Sequence, residues 1–137
     1  MNAAALPLLL VVDDDPDQLY VIAHAAGKAG NFRVETADNA ADAFAMLQAR
    51  ARENGPLPDV ILTDLKMPDL NGIEFARDMK RAPELRHIPV VVLTSGACPH
   101  EKRAAGEAGI TAFVQKPALF DELVAAIKAL QVNHRAA

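Results

Sequence analysis

The stretch Asp59-Val60-Ile61-Leu62-Thr63-Asp64-Leu65-Lys66-Met67-Pro68-Asp69-Leu70-Asn71-Gly72 decides the fold. Val60-Ile61-Leu62 is apolar at consecutive positions instead of alternating, the pattern of a strand covered on both faces, as strands of parallel sheets are. The run ends at Asp64, passes through the turn-forming Met67-Pro68-Asp69, and gives way after Asn71-Gly72 to a helical pattern. A buried strand, a loop and a helix in that order make the repeating part of a β-α-β unit.

Outward from this stretch the same beat recurs. Leu8-Leu9-Leu10-Val11-Val12 and Val90-Val91-Val92-Leu93 are further uniformly apolar runs, with shorter strand candidates at Phe32 to Thr36 and Ile110 to Val114. Helical periodicity follows each strand, over about 16–29, 39–52, 71–81, 99–108 and 119–131. Asp15 before Pro16 reads as an N-cap and first-turn pair, with Asp17 well placed near the positive helix end. Asn39 reads as the second cap, Asn71-Gly72 as the turn into the third helix, and Cys98-Pro99 as the start of the fourth. The first helix is expected to bury Val21, Ile22, Ala25 and Ala26, with Leu19-Tyr20 beside that stripe. The last is expected to bury Phe120, Leu123, Val124, Ile127 and Leu130, although its start lacks a good capping residue. Five such repeats predict an α/β fold, a doubly wound five-stranded parallel sheet with five helices and right-handed crossovers. The 137 residues suit one domain, with a core over about 6–131 and a short polar tail at 132–137.

Composition narrows the function. Acidic side chains outnumber basic ones, 18 to 14, for a net charge of −4, which argues against a nucleic-acid binder. Aromatic residues make up 4% with no Trp, which disfavours ring-stacking platforms for bases or flavins. One cysteine forms no internal disulfide and fits a reducing, cytoplasmic setting. The apolar stretch Ala3 to Val12 is about half the length that spans a bilayer, so no membrane association is expected. No G-x-x-x-x-G-K-[ST] is present, and no G-x-G-x-x-G follows the first strand, so nucleotide binding is disfavoured. His24, His87, His100 and His134 show no metal spacing, and Cys98 has no activating neighbour.

In open α/β sheets, ligands bind outside the carboxyl ends of the strands. Those ends carry Asp13 and Asp14, Asp64, Thr94 and Lys116. Carboxylates about 4 Å apart repel by about 4 kcal/mol per pair at an effective dielectric near 20. Such a cluster is kept where a cation or a proton neutralises it, and an all-oxygen donor set suits Mg²⁺ with a phosphate as co-ligand. One carboxylate could then serve as nucleophile and form an aspartyl phosphate, while Lys116 and Thr94 hold phosphoryl oxygens. Taken singly, each residue has a plainer reading as a cap, a turn residue or a solvated charge. The cluster also predicts that Mg²⁺ raises the melting temperature, and that Asp14→Asn stabilises the metal-free protein and removes the Mg²⁺ effect.

The chain resembles the receiver domain of two-component response regulators, of the stand-alone single-domain type, over about residues 6–131. Four motifs carry the likeness in order: Val11-Val12-Asp13-Asp14-Asp15; Asp59 to Pro68 with Asn71-Gly72; Val90-Val91-Val92-Leu93-Thr94-Ser95; and Phe113-Val114-Gln115-Lys116-Pro117. The resemblance implies the flavodoxin-like strand order 2-1-3-4-5. It implies Asp64 as phosphoacceptor, supplied by a sensor histidine kinase or a histidine phosphotransfer protein. Mg²⁺ would be held directly by Asp14, mainly through water by Asp13, and by Asp64 and the Lys66 backbone carbonyl. Thr94 would move towards the phosphoryl group, Lys116 would contact acceptor and phosphate, Lys116–Pro117 would be cis, and Phe113 would occupy the aromatic switch position. The face of the fourth helix, fifth strand and fifth helix would carry output to an unidentified protein partner, and in many relatives it carries a homodimer. Turnover would be limited to Asp64 itself.

Three positions depart from the family pattern. Lys66 places a cation beside the phosphoryl site, Gly96 offers no side chain two residues after Thr94, and residue 118 is Ala where many relatives have Phe. The loop at 53–58 and the Pro-rich approach resemble stand-alone receivers, including those paired with phytochrome-type kinases. Two other readings stay open on the residues. One is a phosphorylation-independent receiver-like binding module. The other is a Mg²⁺-dependent phosphohydrolase of the haloacid-dehalogenase type, whose nucleophile motif Asp13-x-Asp15 superficially satisfies; against it, the later acidic metal motif is missing.

Overall fold

A computed structural model describes residues 6–65, 71–94, 99–110, 112–117 and 119–130. The strands are β1 (Leu8–Val12), β2 (Arg33–Ala37), β3 (Val60–Asp64), β4 (Val90–Thr94) and β5 (Ala112–Gln115). They alternate with α1 (Pro16–Ala29), α2 (Ala40–Arg52), α3 (Gly72–Arg81), α4 (Pro99–Glu107) and α5 (Phe120–Lys128). All pairings are parallel in the order β2-β1-β3-β4-β5, so β1 and β3 lie side by side at the centre.

Side chains of the central strands alternate between two cores, one on each face. Leu10, Val12, Ile61 and Val90 pack with Ala43, Leu47, Phe75 and Met79 under α2 and α3. Leu9, Val11, Val60, Leu62, Val91 and Leu93 pack with Ile22, Ala25, Ala26, Leu123 and Ile127 under α1 and α5. Both edge strands, β2 and β5, lack fully buried positions, which is why their sequences are less uniformly apolar.

The Asp15 cap forms as the sequence suggests, and the Asn71-Gly72 turn also supplies a cap. Asp15 accepts from the N–H groups of Asp17 and Gln18, and Asn71 and Glu74 form a reciprocal capping box. α5 begins at Leu119 without a side-chain cap. Two expected core residues are corrected. Val21 and Phe120 are 43% and 36% exposed, because the helix pair buries the stripe Ile22, Ala25, Ala26 and Ala29 against Leu123 and Ile127. Phe120 instead sits at the helix start, with its ring 5.6 Å from that of His24.

Candidate functional site

Five strand-end residues converge on one rim because parallel strands all finish on the same side of the sheet. Asp13 and Asp14 follow β1, Asp64 closes β3, Thr94 closes β4, and Lys116 follows β5. The backbone N–H of Lys116 donates to the Thr94 carbonyl at 2.7 Å, which places these two residues side by side. One carboxylate oxygen from each of Asp13, Asp14 and Asp64 can be chosen so that all three lie within 4.8 Å of one another.

The two neighbouring aspartates differ in environment. Asp14 is exposed, whereas Asp13 is 1% exposed. Asp13 Oδ1 accepts the Asp15 N–H at 3.0 Å, while Oδ2 is buried with no hydrogen-bond partner. Burial pushes the Asp13 carboxyl above its ordinary range, and the charges of Asp64 and Asp14 add to that; the Asp15 N–H and Lys116 oppose it. Burial thus separates the two neighbours: Asp13 is cut off from water and Asp14 is not.

Asp64 Oδ1 accepts the Leu65 N–H at 2.9 Å and faces Lys116 Nζ at 3.6 Å. Lys116 Nζ also donates to Gln18 Oε1 at 2.5 Å. Thr94 is buried and Phe113 half-buried on β5. An oxygen-only donor set containing one buried, undonated oxygen fits a hard divalent cation. The Lys116–Pro117 bond is trans, since no cis peptide occurs among the described residues; the trans form is the ordinary preference of an X–Pro bond, by about 0.5–1 kcal/mol. Asp15 is engaged as the α1 cap, so the second carboxylate that a phosphohydrolase of the Asp-x-Asp type needs is committed elsewhere. Lys66, Ser95, Gly96, Cys98, Ala118, His134 and the 132–137 tail lie outside the described residues.

Sequence reasoning missed three contributors. A Cβ on Gly72 would lie 2.6 Å from the Asp64 carbonyl oxygen, so that position admits only glycine if the acceptor strand is to stay in place. Asp59 Oδ2 accepts the Leu8 N–H at 2.8 Å and ties the start of β1 to β3. Gln18 reaches the site from the first turn of α1. The signals available were the Gly of the Asp-x-x-Met-Pro-x-x-x-Gly element and the polarity of residue 18 next to a capped helix start.

Comparison with known proteins agrees with this geometry. The sequence model of the response regulator receiver domain family matches residues 9–128. Response regulator Rre1 of Synechocystis is 30% identical over 128 residues, which are 93% of this chain and 53% of that protein. The chain thus spans about half the length of such a relative. The phosphorylated cyanobacterial phytochrome response regulator RcpA superposes with a TM-score of 0.78 at 26% identity, covering 90% of each chain. Chemotaxis protein CheY4 of Vibrio cholerae does so with a TM-score of 0.77 at 27% identity, covering 90% of this chain and 98% of its own. Among the described residues, no helix is long and apolar enough to cross a membrane.

Proposed function

We propose that this chain, which belongs to the response regulator receiver domain family, accepts a phosphoryl group on Asp64 from a sensor histidine kinase or histidine phosphotransfer protein and signals by changing its protein contacts. The observation that carries this reading is the rim itself: Asp13, Asp14 and Asp64 bring carboxylate oxygens within 4.8 Å of one another, Asp13 keeps a buried, undonated oxygen, and the Lys116 ammonium lies 3.6 Å from Asp64 Oδ1. Receiver domains as a class are signalling modules, and the similar RcpA has been solved in phosphorylated form.

The step is an in-line displacement. Asp64 Oδ1 is engaged by the Leu65 N–H and Lys116, so Oδ2 is assigned as the attacking oxygen. Its new bond to phosphorus forms as the nitrogen–phosphorus bond of the donor phosphohistidine breaks, and the bonding pair leaves on the imidazole nitrogen. Asp13, Asp14, Asp64 and the Lys66 carbonyl are the proposed holders of Mg²⁺, which would supply charge neutralisation at the carboxylates and the phosphoryl oxygens. Lys116 donates to a phosphoryl oxygen, and the Thr94 hydroxyl turns towards another. Because Lys116 and Thr94 are joined through their backbones, their response is passed to β5 and Phe113. The output surface is assigned to α4, β5 and α5. Water attack on phosphorus later restores the Asp64 carboxylate.

Intact-mass spectrometry after incubation with acetyl phosphate tests the reading. One Mg²⁺-dependent phosphoryl adduct is expected on the wild type and none on Asp64→Asn. A wild type that gains no adduct, and that also fails to bind beryllofluoride, refutes phosphotransfer.

A further inference from the structure

Lys116 makes its closest polar contact with an amide and not with the carboxylate. Its ammonium lies 2.5 Å from Gln18 Oε1 and 3.6 Å from Asp64 Oδ1. Charge alone would favour the reverse order, so the position of Gln18 is what sets where the ammonium rests. The backbone of Gln18 is set by the capped start of α1. Gln18 is the third residue of α1, and its N–H points at the capping oxygen Asp15 Oδ1 at 3.4 Å. The Lys116 side chain is thereby fixed at both ends, at the base by its N–H bond to the Thr94 carbonyl at 2.7 Å and at the tip by Gln18.

Among the described residues, the polar contacts of the Lys116 ammonium are those to Gln18 and Asp64. A cavity of about 300 Å³ opens beside it, lined by Val21, Ile22, Leu93, Pro117 and Leu123 together with the polar Asp17, Gln18 and Lys116. A flexible four-carbon stem next to an apolar void has other rotamers to occupy once its tip is released. The chemistry of the holder also matters. A neutral amide oxygen fixes the ammonium without cancelling its charge, so the full positive charge stays available to an incoming phosphoryl group.

We infer that Gln18 is a positioning residue for phosphoryl transfer, holding the Lys116 ammonium so that its remaining N–H groups face Asp64 and the arriving phosphoryl oxygens. This rests on the function proposed above. An interaction that is already in place before the reaction removes the need to order a long side chain during it.

The test uses Gln18→Met, which keeps side-chain length and helix preference but removes the acceptor. Two quantities are compared with wild type: the rate of phosphoryl uptake from acetyl phosphate with Mg²⁺, and water exchange of the Lys116 ammonium protons by NMR. Uptake about three- to tenfold slower is expected, together with ammonium exchange several-fold faster and an unchanged melting temperature. Unchanged or faster uptake overturns the inference. So does slower uptake with unaltered ammonium exchange, since Gln18 would then act by a route other than Lys116. A wild type that takes up no phosphoryl group overturns the proposed function and the inference with it, a result distinct from a wild type that reacts at the same rate as the variant.

Discussion

Asp59 and Asp13 are carboxylates at opposite ends of the same two neighbouring strands, and the fold treats them in opposite ways. At the amino-terminal end, Asp59 Oδ2 takes the Leu8 N–H at 2.8 Å and closes the join between β1 and β3. At the carboxyl-terminal end, Asp13 Oδ2 is buried with no donor, and burial raises its carboxyl above the ordinary range. Buried polar groups are nearly always paired, so an orphaned one marks a place where stability has been given up for something else. The lower end of the sheet is complete as folded. The upper end leaves a buried carboxylate oxygen undonated, which the proposed cation would satisfy.

The largest predicted effect breaks the upper end by steric means. Gly72→Ala would push a Cβ to 2.6 Å from the Asp64 carbonyl oxygen, a backbone atom held in β3. A loss of about 2–3 kcal/mol is expected in urea unfolding, the range of overpacking in a tight interior. Next is the lower end. Asp59→Ala strands the Leu8 N–H and should cost about 2 kcal/mol, the scale of an unmatched donor. Its melting temperature should still rise with Mg²⁺ as far as the wild type's does.

Asp13→Asn should have the opposite sign. Removing an undonated buried charge is expected to stabilise the metal-free protein by about 1 kcal/mol while abolishing the rise in melting temperature that Mg²⁺ gives the wild type. Asp14→Asn should gain less, because Asp14 is exposed. A larger gain from Asp14→Asn in thermal melts would reverse the ranking of the two aspartates.

The smallest effect is the pH dependence. The folded-state value of Asp13 lies above its ordinary 3.8, so the folded chain holds that proton more tightly than the unfolded one. The resulting stability is fully present below 3.8 and is lost as pH rises through the folded value. Metal-free wild type should therefore lose this increment with rising pH across that window, where Asp13→Asn shows no such loss. Chemical denaturation at several pH values with a chelator present would measure the difference.

The strand ends were legible because consecutive apolar residues locate buried parallel strands and the polar residues within two positions of the end of each run mark the rim. Asp13, Asp64, Thr94 and Lys116 follow from that logic, and α1 begins where its Asp15-Pro16 pair places it. What periodicity could not resolve is which edge of an apolar stripe meets the sheet. Val21 and Phe120 belong to their stripes by spacing, yet the packing of α1 against α5 leaves them exposed. By residue type alone adjacent Asp13 and Asp14 read alike, and the structure separates them by burial. The contact of Gln18 with Lys116 joins residues 98 positions apart, so no local pattern announces it.

Asp64, and not Asp13, is the carboxylate proposed to become phosphorylated. The most direct measurement treats the protein with acetyl phosphate and Mg²⁺, reduces the acyl phosphate with borohydride to homoserine, and locates that residue by peptide mass spectrometry. Homoserine at position 64 alone is the predicted result. Homoserine at position 13 would contradict it and would return the chain to the phosphohydrolase reading.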